Sequence, residues 1–285
     1  MNCPYSYIFS DTLLEPIHRQ DRKSVPYPQW LQQWQTHLTP IPLFNNIPLV
    51  ASFVHTPLIP AAWLHHMRHH PHQDLVQYFL QSITTGFRLG SDGSATQSAK
   101  RNLQSAADYP AIVDEYLHKE LSLGRISGPY PPSTFPGVQI NRFGVIPKNH
   151  QQDKWRLITG LSHPSGSSVN DGIPSQLCTL TYVTVDEAIL SILKSGRNTM
   201  LAKIDSKSAF HLLPVHPADR HLLGMKWRGN VYIDHCIPFG LRSAPKLFNI
   251  LADLLAWITE NEGVSYLIHY LDDYLTMGPP GSTVC

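Results

Sequence analysis

The feature that most constrains this chain is a pair of adjacent acids, Asp272 and Asp273, inside the run YLIHYLDDYLTM. Neighbouring carboxylates repel each other and strongly prefer water. Here they interrupt an apolar, β-prone segment that includes Ile268, Tyr270, Leu271, Tyr274 and Leu275. A tight turn between two strands reconciles the two demands, and a bound cation would do so further. Taken alone, the pair also fits an exposed hairpin turn with no chemistry attached.

A second acid adds weight to the first two. Asp205 closes another apolar run, TMLAKID, and is followed by SKSAFHLLP. Between the two acidic sites lie HLLGMKW and VYIDHCI, joined by Arg228-Gly229-Asn230, which read as a β-hairpin, and then a helical stretch at about 243–260. Such a connection could bring both strand ends side by side. Three carboxylates at one sheet edge suit two Mg²⁺ ions, which take oxygen ligands and bridge to substrate phosphates. Two metals about 3.5–4 Å apart clamp the attacking and leaving oxygens of an in-line phosphoryl displacement.

Bulk composition is silent about partners. Lys+Arg number 22 and Asp+Glu 21, a formal net charge of +1, so any nucleic-acid contact must rest on local residues. Cys3, Cys178, Cys236 and Cys285 stand far apart and suggest neither a zinc site nor a disulfide framework. The N-terminal segment lacks the pattern of a signal peptide, and no apolar run is long enough to span a bilayer. The expectation is a soluble, intracellular protein with no membrane contact; the pattern sets no oligomeric state.

Residues 1–60 are rich in proline and aromatics. Pro26, Pro28, Pro40, Pro42, Pro48, Pro57 and Pro60 predict an irregular lead-in without helix. DLVQYFLQSITTGF predicts a helix over 74–87 that Gly86 could end, and GSDGSATQSAK at 90–100 predicts a loop. Pro110 suits the first turn of AIVDEYLHKELSLG, and Gly124 its stop. The chain divides on this reading into a Pro/His-rich extension at 1–104 and a catalytic domain at 105–285. From 140 onward, RFGVIPK, KWRLITGL and the runs already named predict strands, with helices at about 184–195 and 243–260: an α+β domain. WLHHMRHHPHQD clusters five histidines, and His66 and His70 have the spacing of helical metal ligands. Pro71 opposes a long helix there, so a solvated polar segment is the preferred reading.

Four segments together resemble reverse transcriptases. TMLAKIDSKSAF resembles the family's motif A, IPFGLRSAPKLF its motif B, YLDD its Tyr-x-Asp-Asp box, and KWRLITGLSHP its triphosphate-binding fingers strand. They occur in the family's order, and the ordered set is far more specific than any one of them. KSAFHLLPVHPADRHLLGMKW, GLSHPSGSSVNDGIP, HYLDD and EYLHKELSLGRISGP look like the DIRS-like retrotransposons of the tyrosine-recombinase kind. The resemblance covers residues 105–285, and 55–105 loosely.

It implies right-hand fingers and palm with an antiparallel palm sheet packed on helices, and an RNA-directed DNA polymerase using two Mg²⁺ ions, with Mn²⁺ as a substitute. The partners would be an RNA or DNA template with primer, and dNTP. Asp205 and Asp272 would ligate the metals and Asp273 would complete the triad. Phe210 falls where the family places an aromatic gate against a ribose 2′-hydroxyl. Its alternative is a plain core ring. Backbone N–H groups of Lys207, Ser208, Ala209 and Phe210 would hold the triphosphate. Arg156 would contact it by its fork and Lys148 as a point charge, and Phe239 and Gly240 would line the template and nucleotide pocket.

Two positions depart from the family pattern. Thr159-Gly160-Leu161-Ser162 lacks a usual acid, and Ser206 stands where an apolar residue is usual. The sequence stops soon after Asp273, so a missing thumb is expected. The alternative function is a catalytically inactive remnant with at most nucleic-acid binding. A metal nuclease using the same acids is disfavoured by motif B and Phe210.

Overall fold

Alternating apolar runs and well-marked helix starts set most of the elements. The computed structural model describes residues 26–38, 54–94, 101–148, 154–264, 266–278 and 281. In chain order the helices are α1 (Tyr27–Leu38), α2 (Pro60–Met67), α3 (Gln73–Thr85), α4 (Gln104–Asp108), α5 (Pro110–Ser122), α6 (Val185–Ser195) and α7 (Ala244–Asn261). The strands are β1 (Ile126–Tyr130), β2 (Ile140–Pro147), β3 (Trp155–Gly160), β4 (Met200–Asp205), β5 (Gly224–Trp227), β6 (Asn230–Asp234), β7 (Tyr266–Tyr270) and β8 (Asp273–Gly278). The fold is α+β. Among the described residues, no helix is long and apolar enough to cross a membrane.

A five-stranded sheet has the order β1-β6-β5-β2-β3 and a three-stranded sheet the order β4-β8-β7. The small sheet is antiparallel throughout, whereas the large one contains a parallel pair, β2 with β5. β5 and β6 form the expected hairpin: Arg228 (φ 47°) and Gly229 (φ 83°) are both left-handed, the turn that matches strand twist. Thr184 and Glu187 form a reciprocal capping box that starts α6. Gly86, at φ 94°, closes α3; a Cβ there would lie 2.4 Å from the His216 backbone, so only glycine fits.

Three elements depart from the expectation. The proline-rich lead-in contains α1, because Pro26 precedes the helix and Pro28 sits in its first turn, where a missing N–H costs nothing. Pro60 likewise starts α2 rather than breaking it. β1 holds Gly128 and Pro129 yet is a strand; it lies at the sheet edge, and its register to β6 shifts between Ser127 and Tyr130, across that dipeptide. Cys3, Cys285, Pro40, Pro42, Pro48 and residues 95–100 of the predicted loop lie outside the described residues.

Around α7 lies the main core. Leu247, Phe248 and Ile250 of α7 are fully buried together with Trp30 and Trp34 of α1, Phe79 and Ile83 of α3, and Tyr274 of β8. Trp30 Nε1 donates to the Leu177 carbonyl at 2.8 Å, and Trp34 lies against Gly90, where an added Cβ would meet its ring at 2.2 Å. Lys246 of α7 is 3% exposed and sits over the rings of Tyr27 (4.9 Å) and Trp30 (5.3 Å), a desolvated cation–π contact. A second core joins Val113 and Leu117 of α5 to Phe143, Val145, Leu157 and Met225 of the large sheet.

The histidine cluster is corrected at one position. His70 is buried against Trp257, ring centroids 4.8 Å apart, and its Nδ1 accepts from the His72 amide. Burial lowers its pKa. His65, His69 and His72 are exposed, as expected, and exposed His66 pairs with Glu262 at 3.4 Å. The helix ends at Met67, which breaks the i, i+4 geometry a metal would need.

Trp34→Ala should destabilise the protein by about 3–5 kcal/mol, the usual cost of emptying a buried tryptophan site. Denaturant unfolding monitored by circular dichroism checks it. A loss below about 1 kcal/mol would place α1 outside the core.

Candidate active site

β4 and β8 pair in register from Met200↔Gly278 to Asp205↔Asp273. β7 and β8 close with Tyr270↔Asp273, which leaves Leu271 and Asp272 as a two-residue turn. The three acids thus meet at one end of the small sheet: two on adjacent strands and one in the hairpin turn. Leu271 is held at φ 52°, a left-handed conformation that costs a non-glycine residue about 1–2 kcal/mol. The Ser206 amide donates to the Asp272 carbonyl at 2.9 Å and ties the end of β4 to the turn. Ser206, the departure from the motif, therefore acts here through its backbone.

The turn is held from below as well. His269 Nε2 lies 2.8 Å from Asp253 Oδ1 on α7, and Asp253 Oδ2 accepts from Asn249 Nδ2 at 2.8 Å and from the Tyr27 hydroxyl. One carboxylate thereby joins α1, α7 and the strand leading into the turn.

Asp205 is exposed; Asp272 and Asp273 are half-buried. The Asp272 carboxyl is held above its ordinary range, chiefly by burial and then by the Asp273 and Asp205 charges, with Lys203 opposing. Lys203 Nζ lies 3.0 Å from Asp273 Oδ1. Oxygen donors carrying this much like charge suit hard divalent cations. Among the described residues, no three His, Cys, Asp or Glu side chains already converge as a metal site. The acids share a strand edge, with Asp273 engaged by Lys203.

Beyond Asp205 the chain turns sharply. Ser208 is left-handed (φ 59°) and starts a 3₁₀ turn, Ala209–Leu212. Phe210 is half-buried, 5.0 Å from the Phe239 ring and 5.7 Å, edge-on, from Phe248. The guanidinium carbon of Arg156, on β3, lies 5.5 Å from the Phe239 centroid. Arg156, Phe239 and Phe210 so form a row from the β2–β3 hairpin to the segment that follows Asp205. Lys207 is exposed, Ser208 half-buried and Ala209 buried, so Ala209 offers backbone alone. Lys148 is exposed near the tip of the β2–β3 hairpin, where its amide donates to the Lys154 carbonyl at 2.7 Å, two rungs beyond Arg156.

Gly240 is at φ 93°, and a Cβ there would lie 2.9 Å from the Thr159 carbonyl. Its own carbonyl accepts from Asn170 Nδ2 at 2.8 Å. Asn170 also donates to Ser162 Oγ at 2.8 Å and accepts from the Arg242 amide at 2.8 Å. Asn170 thus clips the loop of Phe239 and Gly240 to Ser162, just past the end of β3. Sequence reasoning missed it. Asn170 lies in the recognised stretch GLSHPSGSSVNDGIP, but turn-forming residues surround it and nothing there signals a buried side chain.

Residues 146–280, just under half of the chain, match the model of the family described as reverse transcriptase (RNA-dependent DNA polymerase). Over that range the chain is similar to reverse transcriptase domains. No individually curated protein matches the sequence. Solved structures similar to it include the foamy viral protease-reverse transcriptase in complex with dsDNA, at 17% identity and TM-score 0.45 over 64% of this chain and 33% of that one. A form of that enzyme termed dRH, also in complex with dsDNA, gives 14% identity and TM-score 0.48 over 93% and 40%. The native prototype foamy virus enzyme gives 16% identity and TM-score 0.43 over 88% and 29%. The chain thus spans well under half the length of these proteins.

Asn170→Ala leaves the Gly240 carbonyl and the Arg242 amide without their partner. It should cost about 1–3 kcal/mol, the usual effect of orphaning buried polar groups. Thermal unfolding reads the loss; an unchanged midpoint would show that the loop holds itself.

Proposed function

We propose that this chain supplies the fingers and palm of an RNA-directed DNA polymerase from a retroelement, of the DIRS-like, tyrosine-recombinase kind. It would transfer a nucleotidyl group from dNTP to a primer 3′-hydroxyl on an RNA or DNA template, inside the cell. The observation that carries the reading is the pairing of Asp205 with Asp273 across β4 and β8, with Asp272 in the adjoining turn.

Asp205 and Asp272 would hold two Mg²⁺ ions. When bound, these polarise the α-phosphate, activate the 3′-hydroxyl and stabilise the leaving pyrophosphate. The chain's own part is positioning. Its clamped turn fixes the acids, and its aromatic row fixes the nucleotide. Arg156 would present its fork to triphosphate oxygens. The Phe210 ring, backed by Phe239 and Phe248, would lie beneath the sugar and clash with a 2′-hydroxyl. The DIRS-like assignment rests on the sequence stretches around Asp205, Asn170 and Asp272.

Primer extension with Mg²⁺ tests the reading, with Mn²⁺-dependent dNTP binding by calorimetry as the readout independent of turnover. Asp205→Asn and Asp272→Asn should each lower extension by about 100-fold or more, since misplacing the reacting groups by about 1 Å has that effect. They should also abolish the metal dependence of dNTP binding. Nucleic-acid binding with no metal-dependent dNTP binding would instead mark a catalytically inactive remnant.

Phe210→Ala should raise the use of ribonucleotides relative to deoxynucleotides in single-nucleotide kinetics. Unchanged discrimination would make Phe210 a core ring.

A further inference from the structure

Successive side chains of a strand alternate faces, so Lys203 and Asp205 emerge from β4 on the same face of the sheet. Across the ladder Asp205 faces Asp273 and Lys203 faces Leu275. The diagonal between them is short enough for the lysine stem, and its ammonium reaches Asp273 Oδ1 at 3.0 Å. Three carboxylates and one ammonium thus stand at one end of the small sheet.

Stability alone gives this lysine little reason to be there. Its side chain is 65% exposed and that of Asp273 45%, and ion pairs in such surroundings contribute about 0–1 kcal/mol. Its effect on another cation is larger in consequence. An ammonium on one of three acids occupies a ligand oxygen and places positive charge beside the ions the site would take.

We propose that Lys203 tunes the metal site by competing with the divalent cation for Asp273. It leaves Asp205 and Asp272 as the principal ligands and weakens metal binding to the cluster. The inference rests on the metal-site reading above and assigns Lys203 a positioning role.

Mn²⁺ binding to the full chain, followed by the electron paramagnetic resonance of free Mn²⁺ at low ionic strength, tests it without catalysis. Lys203→Met should tighten Mn²⁺ binding by about two- to fivefold, the range that the energy of an exposed ion pair corresponds to. Lys203→Gln should do the same, which keeps the test alive if one variant folds poorly. Lys203→Arg should stay near the parent chain. In an Asp273→Asn background, removing Lys203 should have a much smaller effect, because the contested oxygen is gone. Unchanged or weaker Mn²⁺ binding in both neutral variants, with thermal unfolding intact, would overturn the proposal. So would an undiminished effect in the Asp273→Asn background, which would mean a general field rather than competition. If Asp205→Asn and Asp272→Asn leave Mn²⁺ binding untouched, the metal-site reading itself fails. If they abolish it while Lys203 makes no difference, only this inference fails.

Discussion

The backbone pairing of β4 with β8 sets Asp205 directly opposite Asp273, and the rest of the structure holds that pairing against the repulsion it creates. Like charges opposite one another on a sheet are destabilising. The strands stay together because no other rung sets two like charges opposite each other, because Lys203 on β4 reaches Asp273, and because buried Tyr274 and Met277 root β8 in the interior. The turn before β8 adds its own strain at Leu271. Ser206 and the contact of His269 with Asp253 offset both costs at the point where they arise.

The support reaches far along the chain. α7 lies beneath the small sheet and carries Asp253, which also receives Tyr27 from α1. Lys246, about two turns earlier on the same face of α7, sits over two rings of α1. The helix at 27–38 is thus continuous with the scaffold of the acids. On the other side, Asn170 clips the Gly240 loop to Ser162, just past β3, while Arg156 of β3 lies over the Phe239 ring. The two anchors hold different parts of the site: the α7 side holds the acids, and the Asn170 side holds the loop of Phe239, over which Arg156 lies.

How much of this was legible depended on whether the signal was local. The acid pair in an apolar run, the Arg228-Gly229 turn and the Gly86 and Gly124 stops are all written in a few neighbouring residues. Each of those elements lies where the pattern put it. α1 was hidden because prolines at a helix start look, in sequence, like prolines that break one. β1 was hidden because Gly128 and Pro129 are tolerated only at a sheet edge, and edge position is a tertiary fact. His70 and Asn170 were hidden for the same reason: a polar side chain inside turn-rich sequence reads as solvated, and only packing against Trp257 or the Gly240 loop buries it. The acids were legible, whereas the contact between Lys203 and Asp273 required the strand register.

The central claim is that this strand pairing builds a two-metal site. Crystals of the chain soaked with Mn²⁺ and a non-hydrolysable dNTP, measured for anomalous scattering at the manganese edge, test it most directly. The account predicts two peaks about 3.5–4 Å apart, both within ligand distance of Asp205 and Asp272, with the triphosphate reaching toward Arg156. Manganese bound elsewhere, with no peak between Asp205 and Asp272, would contradict it.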